Sequence, residues 1–201
     1  MTDNFALLEE PRRPWLEAET LRQKFLTRSA SLHPDKLPAA GEVENRGATH
    51  SFAELNAAYQ CLAEPKSRLV HLLELELGAK PKDVQHIPDA LAELFAEVAT
   101  ACQGADGFLA GKARVTSPLL LVPWFERGQE WVEKLKALQQ KLNGLHEQLT
   151  GELQALDEKW MRTETGSRGE LLGRIEELYR LFGYFNRWDR QIQERVVQLS
   201  I

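Results

Sequence analysis

Between residues 131 and 160 the chain places Trp131, Leu135, Leu138, Leu142, Leu145, Leu149, Leu153, Leu156 and Trp160 three or four residues apart. Side chains at this spacing share one face of an α-helix. A strand cannot present them together, because its side chains alternate with period two. The consecutive four-residue steps through Leu145, Leu149 and Leu153 make a stutter in a heptad-like, coiled-coil pattern. The stretch "MRTETGSRG" breaks the stripe, and a second one follows over 168–199, with Leu171, Ile175, Leu178, Phe182, Phe185, Ile192, Val196 and Leu199 inward. Two long apolar stripes with a short break between them predict an antiparallel helical hairpin.

The rest of the chain has the same period, so the fold class expected is all-α. A short piece over 4–9 is stopped by "PRRP". A helix over 17–32 carries Leu21, Phe25 and Leu32 on one face and ends before Pro34, because the residue preceding a proline is pushed out of the α region. The next helix has Ala48, Phe52, Leu55, Tyr59 and Leu62 as a continuous stripe. A fourth opens at Pro65, where a missing N–H costs nothing, and turns Leu69, Leu72 and Leu73 inward. It stops at Gly78, with Pro81 beyond. "LGAKPKDVQHIP" reads as a connector and 89–102 as a fifth helix. "CQGADGFLAGKARVTSPLLLVPW" reads as an irregular bridge whose "LLLV" is buried. The organisation expected is therefore a first domain over 1–78, a linker over 79–88 and a helical domain over 89–201.

Charge narrows the function. The formal net charge is −5. Nine basic residues face twelve acidic ones before Gly78, and sixteen face eighteen from there on, so neither half is a basic module for nucleic acid or an anionic membrane. Cys61 and Cys102 lie singly in helical stretches and read as small apolar residues in a reducing compartment. The acidic start shows no signal-peptide core, and the apolar run from Leu119 to Val122 is far too short to span a bilayer. A cytoplasmic protein is expected. His50, His71 and His146 lack ligand spacing, and neither cysteine has a CxxC mate. With no phosphate loop or nucleophile elbow either, no metal, cofactor or active site is expected.

Between the second and third helices stands "SASLHPDKLP", with His33, Pro34, Asp35 and Lys36. Alone, such a tripeptide suits any turn. Its setting is more specific: an apolar helix, "HPDK", a loop, then "ELNAAYQCL" and "EPKSRLVHLLELELG". In this order the chain resembles the J-domain, the module by which DnaJ-like co-chaperones engage DnaK-type chaperones. Within that group it resembles the HscB (Jac) family, which has a longer loop after the tripeptide and a leucine-rich helix ending in glycine. The resemblance covers about residues 3–78. A second copy of the pattern, His86-Ile87-Pro88-Asp89, is spoiled by its isoleucine and reads as a helix N-terminus.

The resemblance implies that His33, Pro34, Asp35 and Lys36, with a basic face on the preceding helix, contact a DnaK-type, HscA-like chaperone and promote its ATP hydrolysis. Pro34 would rigidify the loop, so that the Asp35 carboxylate is presented without a large ordering cost. Arg22, Lys24 and Arg28 are the members available for the basic face. Where J-domains carry a ring followed by two basic residues, this chain has Phe25-Leu26-Thr27.

HscB-type proteins bind an iron–sulfur scaffold through a C-terminal bundle, using a helix in which leucine and methionine alternate with glutamates. Leu94, Phe95 and Val98 stand nearest to that pattern, followed by Ala99 and Cys102 in place of acids. Beyond residue 105 no match is visible. There "LYRLFGYFNRW" sets Phe182, Phe185 and Trp188 on a stripe that suggests a partly exposed client-binding patch. The function expected is a co-chaperone that activates a chaperone's ATPase and delivers a client, in iron–sulfur cluster assembly. The alternative is a helical oligomerisation scaffold with a vestigial J-domain. Oligomeric state is open at this level.

Overall fold

A computed structural model of the chain describes residues 2–32, 42–81, 88, 91–112 and 117–200. Among these there are helices and no strand: α1 (Asn4–Leu7), α2 (Ala18–Leu32), α3 (Glu42–Ala63), α4 (Pro65–Leu77), α5 (Ala92–Ala110), α6 (Pro118–Arg162) and α7 (Gly169–Leu199). The all-α expectation holds. A single 3-10 turn, Thr165–Ser167, joins α6 to α7, which is the short break read in "MRTETGSRG".

The chain forms two compact units. One contains residues 1–82 and 151–180, and the other residues 83–150 and 181–201. The first unit takes in the end of the α6–α7 hairpin as well as the N-terminal helices. The reason lies in "PRRPW", which the sequence presents only as a helix breaker. Arg13 pairs with the Asp157 carboxylate, and the Trp15 N–H donates to the same group at 3.1 Å. The Trp160 indole N–H donates to the Arg12 carbonyl at 2.9 Å, and the Arg168 guanidinium lies 4.2 Å from the Trp160 ring centre. From α4, buried Arg68 donates to the carbonyls of Pro14 and Leu62. Burial pushes its pKa down to about 10, so it stays charged at neutral pH.

In the same unit α2 and α3, joined by residues 33–41, pack as a hairpin through Leu21, Leu55, Ala58 and Leu62, all buried. Phe25 stacks on Tyr59, their ring centres 4.4 Å apart. Phe52 and Tyr59 are half-buried, so the centre of the α3 stripe is Leu55, Ala58 and Leu62 and not its aromatics. Helix α4 ends as its sequence predicts. Leu69, Leu72 and Leu73 are fully buried, and Gly78 takes φ 71°, a conformation that costs glycine nothing. Helix α1 is capped by Asp3, whose carboxylate accepts from the N–H groups of Phe5 and Ala6. It is held to α4 by His71: the Asn4 N–H donates to Nε2 at 3.0 Å, and the ring stacks on Phe5.

In the other unit α5 packs on α6 and α7 around Leu94, Val98, Ala101, Ala105, Leu135, Leu142, Phe185, Trp188 and Ile192. Two expectations are corrected here. The bridge is far shorter than its composition suggests, because α5 continues to Ala110 and α6 already begins at Pro118. Gly104 breaks nothing and serves packing: a Cβ there would meet the Trp131 ring at 2.4 Å. Nor are Leu119, Leu121 and Val122 of "LLLV" buried. Leu119 is 86% exposed, and Leu121 and Val122 are exposed as well, on the first turns of α6. Pro123 is accommodated inside this helix, where the N–H it lacks would have bonded the carbonyl of residue 119, on the exposed first turn.

Candidate functional site

His33, Pro34, Asp35 and Lys36 lie outside the described residues. The helix that leads to them is described, and its three expected cations differ in kind. Arg22 is exposed and, among the described residues, meets Glu19, one turn back on α2, at 3.6 Å. Lys24 and Arg28 are engaged by the segment that follows α1. The Lys24 ammonium sits 2.8 Å from the Glu10 carboxylate and donates to the Glu9 carbonyl at 3.0 Å. Arg28 pairs with the Glu9 carboxylate through Nη1, while its Nε is buried with no hydrogen-bond partner among the described residues. Among the described residues the basic face therefore offers one exposed cation, loosely paired within α2, and two that are held by the segment after α1. Glu10 is nearly enclosed, its side chain 8% exposed, whereas the Glu9 side chain is 73% exposed.

Sequence reasoning missed Glu9 and Glu10. Both precede a proline pair and look like solvated acids. Nothing local shows that the turn after α1 lays them along a helix fourteen to nineteen positions later. Thr27 is no substitute for the missing basic residue, since its hydroxyl donates to the Gln23 carbonyl. Leu26 is exposed beside it.

The residues expected to bind a client are brought together, but mostly inside the core. Leu94, Val98, Phe182, Phe185 and Trp188 are all buried, so Phe182, Phe185 and Trp188 do not form the partly exposed patch that their stripe suggests. The aromatic stripe of α7 is wider than one seam needs because it is covered from two sides. His146 on α6 meets the edge of Phe182 at 5.1 Å, and Phe95 on α5 lies 6.2 Å from Trp188. Of the six, Phe95 alone reaches the surface, 43% exposed. Tyr184 also stacks on Trp188, and both Tyr184 and Leu91 are partly buried against the same cluster.

Among the described residues no helix is long and apolar enough to cross a membrane. Among the same residues no group of three or more histidine, cysteine or acidic side chains is placed to hold a metal ion.

No protein-family model matches the chain. Over 80 residues, 38% of its length, it is 35% identical to the co-chaperone protein HscB homolog of Paraburkholderia xenovorans (strain LB400), of which the match covers 46%. The HscB homolog of Paraburkholderia phytofirmans is also 35% identical, over 79 residues and 45% of its length. The chain thus spans about half the length of the curated relatives it matches. Likeness of fold extends further. The chaperone HscB from Vibrio cholerae superposes with a TM-score of 0.65 over 98% of this chain and 99% of its own, at 19% identity. Human co-chaperone protein HscB superposes with a TM-score of 0.61 over 100% of this chain and 83% of its own, at 15% identity. In fold the chain is like these HscB chaperones, and a segment of its sequence resembles that of the HscB co-chaperones.

Proposed function

We propose that this protein is a J-domain co-chaperone. It engages a DnaK-type, HscA-like chaperone through His33, Pro34, Asp35 and Lys36 together with the α2 face, and it stimulates that chaperone's ATPase without an active site of its own. The observation that carries the reading is the position of "HPDK" between α2 and α3, two packed helices in the order and spacing of a J-domain, in a chain whose HscB-like segment and fold point the same way. The J-domain proper is assigned to 1–78, joined through 79–88 to the helices that carry the client. The client, an iron–sulfur scaffold in the cytoplasm, is assigned to the α5 edge at Phe95, since apolar side chains that reach the surface are what a partner can anchor on.

Asp35→Asn tests this directly. The fold should remain, by circular dichroism, and single-turnover ATPase stimulation should vanish. Equal stimulation by mutant and wild type would remove the J-domain reading. Phe95→Ala should weaken capture of the iron–sulfur scaffold while leaving ATPase stimulation intact. The capture of Lys24 and Arg28 by acids of the same chain favours one second reading, a helical scaffold with a vestigial J-domain. Wild-type protein that stimulates no DnaK-type ATPase would select it.

A further inference from the structure

The backbone turn after α1 contains an anomaly. Glu9 takes φ 54° and is the one residue other than glycine with positive φ among those described. Its N–H donates to the Ala6 carbonyl and that of Glu10 to the Phe5 carbonyl, so Glu9 occupies the left-handed position that closes a helix C-terminus. Glycine does this without strain, and the chain uses Gly78 in that way after α4, at φ 71°. After α1 it uses glutamate instead. That side chain is 73% exposed, so burial does not account for it. What it contributes is its charge, which meets Arg28, while the carbonyl of the same strained residue accepts from Lys24. Glu10 supplies the second carboxylate to Lys24. A strained residue whose side chain does no packing points to a role for the contacts it makes.

We infer that Glu9 and Glu10 are specificity-determining residues for the chaperone contact. They compete with the partner's acidic surface for Lys24 and Arg28, and so set how many positive charges α2 can present. This rests on the proposed J-domain function. In the free protein Arg22 is the cation offered, and on docking an acidic group of the chaperone takes over Arg28 or Lys24 from the turn. Contacts of this kind act on encounter and discrimination between partners, and they are screened by salt.

The experiment uses the full chain with a purified, ATP-loaded HscA-like chaperone, measuring half-maximal concentration for ATPase stimulation across ionic strength. Glu9→Gln and Glu10→Gln should each lower it about three- to tenfold at low salt, with the gain shrinking to less than about twofold near 0.5 M salt. Glu97→Gln, which frees Lys141 from its 2.7 Å pair in the other compact unit, adds the same charge elsewhere and should change it by less than about twofold. Glu9→Gly separates charge from backbone: it should tighten the interaction like Glu9→Gln while raising the melting temperature. If Glu9→Gly raises the melting temperature and neither Glu9 variant alters stimulation, the turn is structural only and the inference is overturned. An equal gain from Glu97→Gln would overturn it too, since net charge alone would then account for the effect. If Asp35→Asn abolishes stimulation and the Glu9 and Glu10 variants match wild type, the co-chaperone reading stands and this one falls. If wild type itself does not stimulate, both fall.

Discussion

The two compact units are held together by different means. In the unit of residues 1–82 and 151–180 lie all three buried polar or charged residues found among those described, Arg68, His71 and Asp157. In the unit of residues 83–150 and 181–201 the buried cluster is apolar throughout. The difference follows from what each must bury. Helices satisfy their own backbone groups, so α5, α6 and α7 need only apolar faces that fit. The segment 10–16 is not helical, and its buried carbonyls and N–H groups need partners from elsewhere. Arg68, Asp157 and Trp160 supply them, to Pro14, Trp15 and Arg12 respectively. Irregular chain is thus tolerated in one unit because a few polar side chains reach it from distant helices.

The largest effects should come from the tryptophans, and they test whether the contrast is real. Trp160→Ala and Trp188→Ala should each cost about 3–5 kcal/mol in urea titration. Phenylalanine separates them. Trp160→Phe loses the hydrogen bond to Arg12 and should cost about 1–2 kcal/mol beyond the change in packing, whereas Trp188 is surrounded by the rings of Phe95, Tyr184 and Phe185. Equal losses for the two phenylalanine variants would erase the distinction between a polar anchor and an apolar core.

Asp157→Ala should follow, costing about 3 kcal/mol, the low end for a broken buried pair because Arg13 retains some access to water. It should also make residues 10–16 exchange their amide hydrogens faster, which no core substitution in the other unit should do. Smaller and opposite in sign are two glycines of α5. Gly104→Ala meets Trp131 and should destabilise by about 1–3 kcal/mol, while Gly107→Ala meets nothing within 4 Å and should stabilise by about 0.5–1 kcal/mol. A loss at both positions would mean that α5 does not tolerate side chains on its outer face.

The smallest effect is acid sensitivity confined to the polar-anchored unit. Burial lowers the His71 pKa below its ordinary value of 6.5, and the neutral ring accepts the Asn4 N–H. The unfolded chain therefore takes up this proton before the folded one. The stability contributed is complete above about pH 6.5 and is lost as pH falls toward the lower folded value. Asp3 adds a second, more acidic window. Although burial opposes it, the hydrogen bond from Arg12 holds its pKa below 3.8, so its contribution is lost only at lower pH still. Urea midpoints at pH 7.5 and 5.5 should differ less in His71→Gln than in wild type. An identical difference would remove His71 as the cause.

The sequence by itself determined the elements. The recurrence of leucine and tryptophan at three and four residues set α6 and α7, Pro65 and Gly78 set the ends of α4, and the tripeptide at 33–35 in its order of helices carried the resemblance to HscB proteins, whose solved structures the fold is like. These are local signals, carried by period and by the backbone limits of proline and glycine, and they survive in any context. Tertiary structure decided which faces are covered. It put Phe182, Phe185 and Trp188 inside and left Leu119 and Phe95 outside, and it turned Gly104 of α5 from a breaker into room for a tryptophan. It also placed Glu9 and Glu10 on Lys24 and Arg28, and Asp157 under a strap 142 residues away. Side-chain type fixes what a residue can bury or pair with. Which neighbour it finds depends on distances in space that spacing along the chain does not carry.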